Sequence, residues 1–254
     1  MATELNSNPE LKFPTGLGTS DADTISLLGQ DLAADLMGKV GFGELAFWLV
    51  AGRRPNAGEV RLFEAVLVAL ADHGFTPTAI AARLTYLSAP DSLQGALAAG
   101  LLGGGSRFLG VTEDCGKFLA AALRDAEGDD FDEIARQAIA GANGRIPGLG
   151  HPVHKVQDPR TPVLIRIAKD EGLYGRHLRL FEAIGRVHGK NLPLNGAGVC
   201  GAALADLGFP VEMLRGFALL ARAAGLLGQI AEEQRRPIAN QIYLTVDRNA
   251  VYEP

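Results

Sequence analysis

Gly58-Glu59-Val60-Arg61-Leu62-Phe63-Glu64-Ala65-Val66-Leu67-Val68-Ala69-Leu70-Ala71-Asp72-His73-Gly74 is the stretch that settles the class of fold. Val60, Phe63, Val66, Leu67 and Leu70 recur at helical spacing on one stripe, with Glu59, Arg61 and Glu64 off it. Such a stripe must be covered by another element, and Asp72-His73-Gly74 ends it. Working outward, the same alternation of helical run and break continues. Upstream, Glu44–Val50 has helical character and ends at Gly52-Arg53-Arg54-Pro55. Asp21 or Asp23 is positioned to cap a segment entering Leu27–Met37, and residues 1–20, rich in Asn, Pro and Gly, read as an N-terminal arm.

Downstream, Pro77 opens a helix through Leu84–Leu87, and the Ala-rich Leu93–Leu102 reads as a helix buried all round, closing in Gly103-Gly104-Gly105. Glu113–Asp125 and Phe131–Ala140 are helical, Pro147-Gly148-Leu149-Gly150 is a loop, and Pro162–Glu171 and Arg179–His188 are helices again. After an irregular Gly189–Gly198 come a small-residue helix, Val199–Leu207, and a long one, Met213–Glu233, stopped by Pro237. The tail Gln241–Val251 is expected to hold one short strand. Ten or more helices and almost no alternating pattern make the class all-α. Abundant Ala, Leu and Gly with 6% aromatics point the same way, because sheets draw on β-branched and aromatic residues.

The 254 residues suffice for one large domain or two modest ones, and 47% apolar with 21% charged residues reads as soluble and globular. A formal charge of -5 argues against a general polyanion binder, so no nucleic acid is expected. No run resembles the positive-then-apolar start of a secretory signal, and no stretch reads as long and charge-free enough to span a bilayer, so no membrane is expected. Cys115 and Cys200 fit neither a zinc spacing nor a disulfide framework, which makes a reducing cytoplasm the expected location.

Chemistry gathers around Gly148-Leu149-Gly150-His151, followed by Asp158-Pro159-Arg160. The two glycines are expected to leave backbone amides open to a ligand. Imidazole suits a hydroxyl or carbonyl oxygen near neutral pH, and arginine is the natural fork for a carboxylate. Together they describe a site for a small carboxylated substrate with a reacting C–O centre. His151 and His154 are three apart, but Pro152 between them is a poor frame for a metal pair, so no metal is expected. His177 and His188 read as solvated surface groups. Arg222 lies inside an apolar helix and needs an anionic partner, either Glu212, Asp206 or a substrate.

Ile146-Pro147-Gly148-Leu149-Gly150-His151-Pro152-Val153-His154-Lys155 with Asp158-Pro159-Arg160 resembles the signature of citrate synthases. Leu194-Asn195, Gly201 and Asp206-Leu207-Gly208-Phe209-Pro210 resemble the stretch that carries the family's catalytic aspartate. Ala71-Asp72-His73-Gly74 is similar to its Asp-His site, and Arg222-Ala223-Ala224-Gly225-Leu226-Leu227-Gly228 to its Arg-x-x-Gly segment. The order agrees over roughly residues 25–245. The short length and Gly105-Ser106-Arg107-Phe108-Leu109-Gly110 look closest to the citryl-CoA lyase module, including that of ATP-citrate lyase.

The resemblance implies a citrate synthase-like helical fold with a large domain (residues 21–110 and 210–254) and a smaller one (residues 111–209) closing over the active site. It implies a homodimer whose partners are an acyl-CoA and a small carboxylic acid, with no prosthetic group. By the same resemblance His151 is the catalytic group at the substrate oxygen, and His73, Arg160 and Arg222 hold the substrate's carboxylates. Gly148, Leu149 and Gly150 would lie against acyl-CoA. The implied activity is carbon–carbon cleavage of citryl-CoA, or a close 3-hydroxyacyl-CoA, to acetyl-CoA and oxaloacetate, with His151 taking the hydroxyl proton. The chain departs from the family where the catalytic aspartate should stand, at Ala197, and near Leu109, Asn240, Pro152 and Gln229. Asp72, Cys200, His154 or an ordered water could supply the missing acid. A related aldol enzyme with another 2-oxo acid or acyl-CoA, or a non-catalytic CoA-ester-binding partner, is the alternative that Ala197 raises.

Overall fold

A computed structural model describes residues 12–254 apart from Asp125 and Asn143, and it divides into two compact units, Met1–Pro55 and Asn56–Pro254. Part of the expected arm lies outside the described residues. In the first unit Gly18–Ser20 (β1), Ile25–Leu27 (β2) and Gln30–Asp31 (β3) form a small antiparallel meander, followed by a π-turn at Leu32–Leu36 and a helix, Phe42–Ala51 (α1). The segment entering Leu27–Met37 is thus strand up to Asp31 and then a single π-helical turn, Leu32–Leu36, capped by Asp31 rather than by Asp21 or Asp23. Asp21 accepts from the amides of Asp23 and Thr24 and so tightens the β1–β2 turn, while Asp31 caps the π-turn by accepting from Ala34 N.

Among the described residues the second unit is helical apart from one isolated β-bridge between Leu149 and Leu194: Ala57–Ala71 (α2), Pro77–Ser88 (α3), Leu93–Leu102 (α4), Val111–Arg124 (α5), Phe131–Gly141 (α6), Arg160–Asp170 (α7), Arg176–Val187 (α8), Gly196–Asp206 (α9), Leu214–Arg235 (α10) and Ala239–Arg248 (α11). Local chemistry explains their starts. Asn56 and Glu59 close a reciprocal capping box on α2, which is why Glu59, off the apolar stripe, is nevertheless buried. Thr76 caps α3 with Pro77 at its first position, and Asn195 accepts from Gly198 N at the start of α9.

Three expectations about elements fail for identifiable reasons. The tail is helix α11 rather than a strand, because Glu233 Oε1 accepts from both Ile238 N and Ala239 N and satisfies its first amides. Helix α4 is buried only along Ala96 and Gly100; Leu93, Ala98 and Leu102 are exposed. The run Val211–Arg235 is long and apolar enough to cross a membrane by length and composition. Here it is the central core helix, with Leu214, Phe217, Ala218, Leu226 and Ile230 buried.

The core follows the α2–α10, α5–α9 and α3–α4 pairings, with α9 sheathed by α2, α5, α7 and α8. Phe63, Phe209 and Phe217 form one aromatic cluster, with ring centroids 4.4–5.6 Å apart. Where α10 crosses the end of α2, Gly225 is obligatory: a Cβ there would lie 1.9 Å from Ala71 O. That close approach brings α10 to the C-terminal carbonyls of α2 and sets up the site.

Candidate active site

An α-helix leaves its last four carbonyls without intrahelical donors, and they carry the negative end of its dipole. Two arginines exploit this at the end of α2. Arg160, at the start of α7, donates NH1 to Ala69 O at 3.1 Å, and Arg222 of α10 donates NH2 to Leu70 O at 3.3 Å. His73 follows in the turn after α2. Three of the four expected catalytic and substrate-binding residues thus meet at one helix terminus, although 149 positions separate His73 from Arg222 in sequence (222 − 73).

The two guanidiniums differ in what is left of them. Arg160 forks onto Asp158, with Nε to Oδ1 at 3.0 Å and NH2 to Oδ2 at 2.7 Å. Asp158 is fully buried and also accepts from Gly196 N. Burial alone would push its carboxyl up, yet the Arg160 fork and the Gly196 amide hold it well below the usual range. Arg222 has no such partner. NH1 donates to Thr76 Oγ1, Nε is buried without any partner, and no carboxylate pairs with it among the described residues. Asp206, one expected partner, instead accepts from His177 N, Leu178 N and the His177 ring. Burial lowers the Arg222 pKa, with Asp72 opposing at longer range. A buried cation left this way is a socket for an anion.

His151 lines the same cavity in a triangle of imidazoles: its ring centroid is 5.4 Å from that of His73 and 4.5 Å from that of His154, with interplanar angles of 29° and 30°. The ring nitrogens of all three lie within 4.8 Å of one another. The His73 and His154 planes lie 57° apart with centroids 5.9 Å apart, so the three rings form a triangle whose nitrogens are close enough to hold a metal ion. The His151 Nδ1 also accepts from Val153 N at 3.1 Å and His154 N at 3.0 Å. An imidazole accepting at Nδ1 carries its proton on Nε2. Burial first, then the His154 imidazole, lowers the His151 pKa and favours this neutral form.

Leu70, His73, Phe75, Thr76, Phe108, Leu109, Val111, His151, Arg160, Ala197 and Arg222 line a cavity of about 330 Å³. A neighbouring cleft of about 660 Å³ shares Arg107, Phe108, Arg145, Gly150 and His151 with it and adds Leu149, His188, Lys190 and Leu192. Arg107 and Arg145 are exposed, and neither forms an ion pair among the described residues. Arg107 lies within the Gly105–Gly110 stretch that resembles the lyase module but has no site role assigned from sequence, and Arg145, an isolated loop arginine, carries no local signal.

The Gly148–Gly150 loop differs from expectation. Leu149 N donates to Ile146 O and Gly150 N to Pro193 O, so these amides serve the fold rather than a ligand. Asn195 staples the loop to α9 through Asn195 N to Gly148 O and Asn195 Nδ2 to Gly150 O. Gly148 faces inward: at φ +87° a Cβ would meet Phe181 at 2.7 Å and Cys115 at 3.0 Å. Its role is packing, and only Leu149 and Gly150 reach the cleft. His177, expected on the surface, is half-buried against Asp206, and His188 Nδ1 is buried without a partner.

Residues 26–243 match the family model of the citrate synthase C-terminal domain. The chain belongs to the citrate synthase family. It is 26% identical over 226 residues to citrate synthase of Haloferax volcanii, covering 82% of this chain and 56% of that protein. The chain spans about half the length of the curated relatives it matches. Its structure matches that of citryl-CoA lyase from Hydrogenobacter thermophilus with a TM-score of 0.82 and 31% identity, covering 95% of this chain and 94% of that one. ATP citrate lyase of Methanosaeta concilii, solved with (3S)-citryl-CoA, shares the fold at 24% identity and a TM-score of 0.71, over 97% of this chain and 43% of that one. The fold is the citrate synthase-like helical one.

Proposed function

We propose that this chain is a citryl-CoA lyase-type carbon–carbon lyase that cleaves citryl-CoA, or a close 3-hydroxyacyl-CoA carrying carboxylates, to acetyl-CoA and a 2-oxo acid such as oxaloacetate. The observation that carries the reading is Arg222: a buried guanidinium with no protein anion, facing the imidazole donor of His151 across one cavity. Arg222 and the outer edge of Arg160 would take the carboxylates of the oxaloacetyl portion. The cleft beside the cavity would take the CoA portion, with Arg107, Arg145 and Lys190 near its phosphates and Leu149 and Gly150 against its chain.

Cleavage turns a hydroxyl into a carbonyl and an acyl-CoA carbon into an enolate. The hydroxyl proton leaves oxygen, the C–C bond breaks, and the enolate carbon gains a proton, so the reaction is proton-neutral overall. The fixed tautomer of His151 alters the role expected from its sequence: Nε2–H donates to the substrate oxygen and stabilises its developing negative charge, and it does not take up the proton. His73 lines the same cavity and neither ring nitrogen is hydrogen-bonded among the described residues. It is placed to accept the hydroxyl proton and return it to the carbon.

That assignment also accounts for Ala197. Cys200, on the same helix, is fully buried, and burial pushes its thiol up to about 12, so it is no proton donor at neutral pH. Both oxygens of Asp72 accept hydrogen bonds, from Gln229 and Gly74. His154 is not among the residues that line the cavity. The reading calls for no metal or prosthetic group, and it includes the homodimer that the resemblance implies and the reducing cytoplasm expected from the two cysteines.

The test is to incubate the protein with citryl-CoA, follow oxaloacetate, and repeat with His151→Ala and Ala197→Asp. The account expects turnover that falls about a hundredfold or more in His151→Ala. No turnover of any hydroxyacyl-CoA, with CoA-ester binding intact, would leave the non-catalytic binding partner as the better description. A rise in rate with Ala197→Asp would mark the wild-type site as short of its proton donor.

A further inference from the structure

Among the described residues Asp72 is the carboxylate that acts electrostatically on Arg222, yet the two do not pair. A chain of buried hydrogen bonds explains why. Arg83 is 1% exposed and donates Nε to Gln229 Oε1 at 2.9 Å. A guanidinium cannot accept a hydrogen bond, so this contact fixes the Gln229 amide with its oxygen toward Arg83 and its NH2 the other way. That NH2 donates to Asp72 Oδ1 at 2.9 Å, and the other oxygen, Oδ2, accepts from Gly74 N at 2.8 Å.

Arg83 cannot turn away. NH1 donates to Glu233 at 2.9 Å and NH2 to Glu232 at 2.7 Å, and the Phe75 ring lies 5.1 Å from its carbon Cζ. Glu233 is itself held by the amides of Ile238 and Ala239 at the start of α11. The chain therefore runs from α11 through Glu233, Arg83 and Gln229 to Asp72, the residue before His73.

We infer that Gln229 is a positioning residue that holds the Asp72 carboxylate away from Arg222 and so keeps the Arg222 guanidinium open to an anionic ligand. Freed from Gln229, Asp72 would turn toward the unpartnered Nε of Arg222 and occupy it as an internal competitor. This rests on the proposed carboxylate-bearing ligand at Arg222, and its substance is the specificity of that socket for an external anion over the protein's own.

Citrate binding measured by calorimetry on the full chain tests it, with Gln229→Met, which keeps length and bulk but removes both hydrogen bonds, and with Asp72→Asn. Gln229→Met is expected to weaken citrate by about fivefold, the worth of one hydrogen bond. In the Asp72→Asn background the same change should have no effect, because no carboxylate remains to compete. Equal citrate affinity in wild type and Gln229→Met overturns the inference, and so does an equal loss in both backgrounds, the mark of a merely structural role. If wild type binds no citrate, the functional reading fails first, and a crystal structure of Gln229→Met decides the positioning. Asp72 within hydrogen-bond distance of Arg222 Nε is expected there, and Asp72 in its present place overturns it.

Discussion

Replacing Arg222 by methionine separates a residue that holds the protein together from one that waits for a ligand. In the unliganded chain Arg222 makes two hydrogen bonds, to Thr76 Oγ1 at 3.2 Å and Leu70 O at 3.3 Å, both at the long end of the range. Each is worth about 1 kcal/mol net, so their loss destabilises by about 2 kcal/mol. Against this stands the desolvation of a 5% exposed cation with no anionic partner, a penalty on the order of several kcal/mol that methionine removes while filling similar space. The balance lies near zero or on the stabilising side. With a carboxylate ligand the sign reverses, because removing one member of a buried charge pair loses about 2–5 kcal/mol, or roughly thirtyfold to several thousandfold in affinity. Thermal unfolding with and without citrate reads both. The expected result is an unchanged or raised Tm in buffer and no further rise with citrate. A drop in Tm equivalent to about 3 kcal/mol or more without ligand would refute the reasoning and make Arg222 a structural residue.

The loop glycines should respond unequally. Gly148→Ala combines positive φ with a 2.7 Å approach to Phe181 and should destabilise by about 2–4 kcal/mol, whereas Gly150→Ala, whose Cβ would meet only Leu192 at 4.0 Å, should lose about 1 kcal/mol; denaturant unfolding compares them. Asp158→Asn should destabilise by about 3–5 kcal/mol by leaving Arg160 without its counter-charge. Because the Asp158 pKa is depressed in the folded state, its contribution is intact above the unfolded value near 4 and fades as pH falls below it, so the variant's stability should be flatter in acid. The His151 pKa is also lowered, which for a base means that the unfolded chain takes up its proton first. Stability is full above the unfolded value near 6.5, declines as pH falls toward the folded value, and His151→Gln should remove that slope. Arg107→Ala with Arg145→Ala should weaken binding of a CoA ester and reduce its salt dependence, with a smaller effect on citrate binding, as read by calorimetry at two ionic strengths.

Much of this was legible in the chain. The α2 stripe, Pro77 at the start of α3 and the Asp158-Pro159-Arg160 turn carry local signals that survive folding, because each is settled by neighbours within one or two helical turns. Gathering His73, Arg160 and Arg222 needed the family motifs, since no local pattern states that two arginines will share the carbonyls of one helix end. What stayed hidden depends on distant partners. The tail carries no local sign of a helix, because Glu233 supplies its cap from another element. Glycines 148 and 150 look alike in sequence, and only the packing of Phe181 and Cys115 distinguishes a structural glycine from one at the cleft. The role of His151 turned on two backbone amides, Val153 N and His154 N, which no residue type encodes.

A site with a fixed imidazole donor and no aspartate at position 197 is expected to cleave a carbon–carbon bond. Single-turnover reaction of the protein with citryl-CoA, with acetyl-CoA and oxaloacetate both quantified against a His73→Ala control, tests it most directly. The account predicts one acetyl-CoA and one oxaloacetate per citryl-CoA consumed, and loss of both in the control. Citryl-CoA that binds and is recovered intact, or a His73→Ala protein that cleaves it as fast as wild type, would contradict it.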